Sequence, residues 1–522
     1  MAHRPALWHD SPMKATDRAA PWAALFAALI SFGLRLHHNP FHPTSNSTGW
    51  WLWTDQGLYL RAAQAWSAGV LDGSEHWYFP GYALLAAPFV RLLPQDPFVP
   101  VDALCLAAAT MAFCALAKRL TGRPGGATLG AIVWVVTVAV PPLTMRMWVE
   151  PWTTTPTAAL TLLCLWLLVR LIDRPSARDA ALLGLAASAV LLFRPADAAI
   201  LLAGAGAVAG AVTIVRRDWR SALAGLAGAG AGFAMFAVLY VTLYGLRQSP
   251  YLAASAEVGF EWRLLWLRWV TLVIDPAPLV PNEIGLARAF WWVLPGTIGL
   301  AACLTVTRGT AWLRHAAVIG ILTGHTLLYL SYRDLHPQGL IRYGNVHYFK
   351  WVLPVLGLYA AWLVLVPVWG RARRLGWSAA AAAALLFCWR AEFAPDGRVA
   401  TIVGPHTVFL PDGFGPLDQA VRIMAQGSFE QIYLSEYALD VGGVRVPNGP
   451  YVKAEPIPGG FLLVALRPLP SGPAAVQFPD DVMLDVSRPP AVGRQRIVFE
   501  IPLHGGWPSR AAKRLSTWVA SR

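Results

Sequence analysis

Apolar runs of about 15 to 25 residues recur along most of this chain, separated by short polar stretches rich in arginine. A helix rises about 1.5 Å per residue, so about 20 apolar residues cross the roughly 30 Å hydrocarbon core of a bilayer. Runs of this kind are predicted near residues 20–36, 98–117, 125–144, 152–172, 178–193, 196–215, 221–245, 288–307, 313–331, 349–369 and 376–390. Hydrophobic residues make up 56% of the 522 before the 45 glycines are counted. That already exceeds the roughly 45–50% an average soluble protein reaches with glycine included. An ordinary soluble enzyme is excluded. With 14% charged residues and five cysteines, so are a disordered chain and a disulfide scaffold. The fold class predicted is mainly α, a polytopic transmembrane bundle of about eleven spans.

The distribution of charge is more informative than its sum. Lys and Arg exceed Asp and Glu by 42 to 29, yet residues 391–522 hold equal numbers of each. The excess lies between the apolar runs, where it orients helices and does not suggest a nucleic-acid partner. Lys118, Arg119 and Arg123; Arg170, Arg174 and Arg178; Arg216, Arg217 and Arg220; Arg308 and Arg314; and Arg371, Arg373 and Arg374 each follow an even-numbered run. A cytoplasmic N-terminal segment, residues 1–19, puts all five groups inside, in the multi-pass topology of a cell inner membrane. The first run lacks a small-residue cleavage site and is expected to remain as an anchor. Gly81 to Leu93 is short, contains Pro88 and reads as re-entrant or interfacial. Gly206/Gly210 and Gly228/Gly232 have the spacing of close helix contacts. Cys105, Cys114, Cys164, Cys303 and Cys388 fall in apolar runs and read as packing residues.

Residues 20–390 thus form a transmembrane domain with outer loops at 37–97 and 246–287. Residues 391–522 change character. A helical stretch at Leu417 to Gln426, strand-like runs at 431–434, 461–466 and 496–501, and many Pro and Gly turns predict an extracytoplasmic α+β domain. Arg510 to Arg522 reads as a basic amphipathic or solvated helix. Trp262, Trp266 and Trp269 read as an interfacial helix or a lid, and Asn46-Ser47-Thr48 as a chance sequon.

Chemistry is sought where polar side chains gather at one membrane face. The first outer loop is the richest: Asp55 follows three tryptophans, with Tyr59, Glu75, His76, Tyr78 and Tyr82 downstream. Partial desolvation there raises a carboxyl pKa toward that of a base; the same aspartate also reads as a helix N-cap. Glu150 before Pro151 reads equally as a functional acid and as a helix-start carboxylate. Arg333, Arg342, Tyr343, His347 and Lys350 precede a run as potential anion ligands or interfacial anchors. Arg194 lies beside Pro195 and Asp197, in the position of a structural ion pair or of a ligand contact.

The long first outer loop with Asp-x-x-x-Tyr from Asp55, the aromatic-Pro-Gly-Tyr segment ending at Tyr82, Pro141-Pro142 with Glu150, Arg194-Pro195 and Arg342-Tyr343 resemble, in order and sidedness, the GT-C superfamily. The resemblance covers roughly residues 20–370. Its members are polytopic glycosyltransferases using polyprenyl-phosphate sugars, among them protein O-mannosyltransferases and lipid A aminoarabinose transferases. It implies Asp55 as general base of an inverting transfer at the extracytoplasmic face, and Glu150 as an acid near a metal or the acceptor. It further implies Arg342, Tyr343, Arg333, His347, Lys350 and Arg194 around the donor phosphate, with Tyr59, Glu75, His76 and Tyr82 as acceptor or loop contacts. A divalent metal, where used, falls to Asp55 and Glu150; Gln56 replaces the second acid many relatives carry after the aspartate. A lipid-linked-sugar flippase or transporter, and a polymerase or ligase using polyprenyl-diphosphate donors, are the alternative readings.

Overall fold

The computed structural model describes residues 12–365, with breaks at 40–41, 43–48, 53, 261, 263–264, 275–283, 333–334 and 336–344, and strands between residues 398 and 485. The chain divides into two compact units. The first, residues 1–260, 290–332 and 346–385, is helical. Its helices are α1 (Pro12–His37), α2 (Thr54–Ser67), α3 (Pro80–Ala86), α4 (Val99–Thr121), α5 (Gly126–Trp134), α6 (Pro142–Val149), α7 (Thr154–Asp173) and α8 (Ala177–Ala189). Then follow α9 (Pro195–Arg216), α10 (Trp219–Tyr244) and α11 (Pro250–Val258).

In the second unit lie α12 (Leu265–Trp269), which continues as a π turn to Ile274, and α13 (Leu286–Ala289). The helical unit resumes with α14 (Val293–Val306), α15 (Gly309–Ser331) and α16 (Val352–Leu365). Among the described residues five helices are long and apolar enough to cross a membrane: Thr16–His37 within α1, then α4, α7, α9 and α10. A sixth arises if Gly126–Ala139 and Pro142–Val149, bent by 81°, count as one. The bend falls at Pro141-Pro142, where a missing N–H and the restricted residue before proline end the first helix. Helices α14 and α16 are apolar but shorter, and α8 has 13 residues. The predicted run 376–390 lies outside the described residues, as do Cys388, the sequon, residues 417–426, 496–501 and 510–522.

Side-chain contacts sort the helix ends onto two faces. At one, Asp17 of α1 accepts from the backbone N–H groups of Ala127 and Thr128 at 2.9 and 3.0 Å, and pairs with Lys118 at 3.3 Å. A carboxylate at the start of α5 also opposes that helix's positive end. There too Arg119 meets Asp173 at 2.8 Å, Arg314 donates to the Arg119 carbonyl at 3.1 Å, and Arg216 to that of Ile172 at 2.7 Å. This basic end joins the C-termini of α4, α7 and α9 to the N-termini of α1, α5 and α15.

The opposite end carries the aromatic loops. Tyr82 of α3 bonds Asp102 near the start of α4, and Asn39, just past α1, bonds Glu150 past α6. Gly81 to Leu93 forms the seven-residue α3, a 3-10 turn over Ala87–Phe89 and further turns, all too short to cross.

Glycine sets one helix contact. A Cβ on Gly184, Gly228 or Gly232 would lie 2.1 Å from the Gly225 carbonyl oxygen, 2.0 Å from that of Ala181 and 2.0 Å from Ser188 Oγ, so α8 and α10 touch along backbone. Gly228→Val should destabilise the protein by about 1–3 kcal/mol or more, read as a lower melting temperature in detergent. Gly206 and Gly210, predicted to make a similar contact, have nothing within 4 Å of their Cβ positions. They face a cavity, which corrects that expectation. Cys114, Cys164 and Cys303 are buried free thiols, and Cys105 is half-buried.

In the second unit, which comprises residues 261–289, 333–345 and 386–522, Arg268 donates to the Leu335 carbonyl at 2.6 Å. Trp262 is exposed ahead of the five-residue α12, which is shorter than the predicted tryptophan-bearing helix. Among its described residues nine short strands form one antiparallel sheet. They include Ile432–Leu434 and Gly460–Ala465, close to two of the predicted runs. The best-extended pair, Tyr451–Ile457 with Gly460–Ala465, sets Ile457 opposite Gly460.

Candidate functional site

Asp55 sits in the first turn of α2, where a carboxylate suits the helix dipole. The chain enters that turn from a 3-10 turn, Gly49–Leu52. Gly57 permits the approach, since a Cβ there would lie 2.6 Å from the Trp51 carbonyl oxygen. Gln56, buried at 1% exposure, donates its Nε2 to the Pro151 carbonyl at 3.1 Å and ties α2 to the α6–α7 connection. Asp55 Oδ1 accepts from the Tyr78 hydroxyl at 2.5 Å. Burial pushes the Asp55 carboxyl above its usual range, while the Tyr78 hydrogen bond and the charge of Arg194 pull it partly back. Tyr59, one turn on, is buried with its ring centroid 4.7 Å from that of Tyr78, and its hydroxyl bonds Thr153. Burial and the neighbouring Asp55 charge keep its phenol neutral.

Arg194 caps α9 and is the hub of the cluster. Its Nε donates to Asp197 Oδ2 at 2.9 Å and to the Tyr329 hydroxyl at 3.0 Å, and its Nη1 to Thr153 Oγ1 at 3.4 Å. The guanidinium lies 4.7 Å from the ring centre of Tyr348 and 5.6 Å from that of Tyr329, within cation–π range. Asp197 is closed on its other sides by the Tyr329 hydroxyl at 2.6 Å and His325 Nδ1 at 3.0 Å. The Arg194–Asp197 pair is therefore present, and the same arginine exerts its charge on Asp55.

His347 stacks on Trp152 with centroids 3.8 Å apart and bonds Thr154 Oγ1 through Nδ1 at 3.0 Å, while its buried Nε2 has no partner. Burial, reinforced by the charges of Arg194 and Lys350, pushes its imidazole well below the usual value and keeps it neutral. Lys350, 1% exposed, donates to Thr155 Oγ1 at 2.6 Å and lies over Trp148. Glu150 is equally buried and bonds Arg146 and Asn39. Burial raises its carboxyl, and Arg146 lowers it.

Of the other predicted residues, Glu75 is forked by Arg61 near the surface, which holds its carboxyl below the usual range. His76 is fully buried, with Nε2 3.1 Å from the Val70 carbonyl oxygen. Tyr82 donates to Asp102 at 2.8 Å beneath the cluster. Arg333, Arg342 and Tyr343 lie outside the described residues. Thus Asp55, Tyr59 and Arg194 come together, His347 and Lys350 join through the α7 threonines, and Glu75, His76 and Tyr82 serve the packing of the first loop. Thr153, His325, Tyr329 and Tyr348 escape sequence reasoning, and Tyr78 stands there only as one polar side chain of the first outer loop, with no role of its own.

A divalent metal does not fit this donor set. The acceptors of Asp55 and Glu150 face Tyr78 and Arg146 respectively, and no three His, Cys, Asp or Glu converge among the described residues. No protein-family model matches the sequence, and no curated protein matches it.

Proposed function

We propose that the protein is an integral-membrane glycosyltransferase that moves a sugar from a polyprenyl-phosphate donor to an acceptor at the extracytoplasmic face. The carrying observation is the half-buried Asp55 carboxylate, poised by Tyr78 and opposed by the charge of Arg194. In this reading the N-terminus is cytoplasmic, about eleven spans cross the inner membrane, and residues 391–522 form an extracytoplasmic α+β domain. The gathering of the basic loops at one end supports that sidedness.

Asp55 takes the proton of the acceptor hydroxyl as its oxygen attacks the anomeric carbon. The bond from that carbon to the phosphate oxygen breaks, and its electron pair leaves on the lipid phosphate with inversion. Charge growing on that phosphate is met by cationic donors, for which Arg194 is the described candidate and Arg342 the sequence-based one. Asp102 and Asp197 lie in the first turns of α4 and α9 rather than at mid-helix, which favours an enzyme over a transporter.

The base works only when ionised, so transfer is present above the Asp55 pKa and lost as pH falls through it. Tyr78→Phe removes a hydrogen bond to the ionised form and should move this acid limb to higher pH. A pH profile of kcat/KM with labelled polyprenyl-phosphate sugar tests this; an unmoved limb would exclude Asp55 as the titrating base.

A further inference from the structure

At the basic end the same bundle contains a second, chemically different space. Helices α8, α9 and α10 line a half-open cavity of about 400 Å³, with Leu183, Ala187, Leu202, Gly206, Gly210 and Leu226 among its wall residues. Its size falls within the roughly 300–1,000 Å³ of small-molecule pockets. The polar groups in its wall stand mostly toward the basic end, where Asp218 and Ser221 bond one another at 2.6 Å. Pro175 and the exposed Trp219 also line it there. Helix α10 rests on α8 along its glycines and leaves Leu226, Phe233 and Val238 exposed. An apolar chain from the bilayer can therefore reach the cavity alongside it.

Two arginines adjoin residues of this wall in the sequence. Arg174 precedes Pro175, Arg217 precedes Asp218, and both guanidinium-bearing residues are exposed. Neither forms a side-chain ion pair or hydrogen bond among the described residues, in contrast to the bonded Arg170 and Arg216. A guanidinium is well matched to a phosphate, and the basic end is the one expected to face the anionic cytoplasmic leaflet.

We propose that this cavity seats one acyl chain of an anionic phospholipid, with the lipid phosphate bound by Arg174 and Arg217. The site is separate from the Asp55 cluster, and its occupancy is measurable without any transfer assay. The open space at Gly206 and Gly210 makes a clean test, because larger side chains fill the cavity without striking backbone.

The experiment is thermal unfolding of the full chain in detergent, titrated with dioleoyl phosphatidylglycerol or with dioleoyl phosphatidylcholine. Phosphatidylglycerol should raise the melting temperature of the parent protein and phosphatidylcholine should do so far less. Gly206→Leu and Gly210→Leu should abolish the rise. Arg174→Gln and Arg217→Gln should each weaken the apparent affinity by about fivefold, the effect of one basic residue at an anionic surface. Gly230→Leu, on α10 with open space around it, should leave the rise intact. An undiminished rise in both cavity-filling variants, or equal responses to the two lipids, would overturn the proposal.

Discussion

Asp55→Asn is expected to lower kcat by about 10²- to 10⁴-fold, the usual contribution of a positioned general base, while leaving a folded protein. The amide keeps the volume and can still accept from Tyr78, but cannot take a proton from an acceptor hydroxyl. Burial raises the Asp55 carboxyl, so by linkage its contribution to stability is fully present below the unfolded-state pKa. That contribution is lost as pH rises through the folded one. The neutral amide should therefore melt no lower than the parent at neutral pH. Single-turnover transfer and a thermal melt on the same preparation separate the two effects. Full transfer by the Asn variant would remove Asp55 from the mechanism.

Arg194→Met is expected to give the largest loss of stability, about 3–5 kcal/mol, because removing one partner of a buried pair leaves the other uncompensated. Asp197 would keep His325 and Tyr329 but lose its nearest guanidinium, and Tyr348 would lose its cation. Denaturant unfolding in detergent reads the effect. Arg194→Lys restores charge without the planar fork and should recover only part of it. A variant with unchanged stability would mean that the Tyr329–His325–Asp197 group holds itself together unaided.

Much of the helical frame was legible because apolarity and length are written residue by residue. Helices α1, α4, α7, α9 and α10 begin and end close to their predicted runs. The break at Pro141-Pro142 was not read, although its cause is explicit in the two prolines, because a continuous apolar run hides a change of direction. The glycine spacing was equally ambiguous. Gly228 and Gly206 sit in the same kind of pattern, and only the neighbour opposite each distinguishes a contact from a void.

The site was legible in its charged members and not in its hydroxyls. Asp55 and Arg194 stand out in an apolar chain because burying a charge requires a reason. Tyr78, Thr153 and Tyr329 look in sequence like any interfacial aromatic or helix-start threonine. Their roles depend on contacts as distant as that of Tyr329 with Arg194, 135 positions apart. For His347 and Lys350 the sequence leaves open an anion ligand or an interfacial anchor, and it does not announce that Thr154 and Thr155 of α7 hold them.

The carboxylate of Asp17 also bears on biosynthesis. Its acceptors meet amides of Ala127 and Thr128, about 110 positions later in the chain. Helix α1 thus gains these two donors only after α4 and α5 have been made. Assembly of this bundle closes backward onto its own beginning.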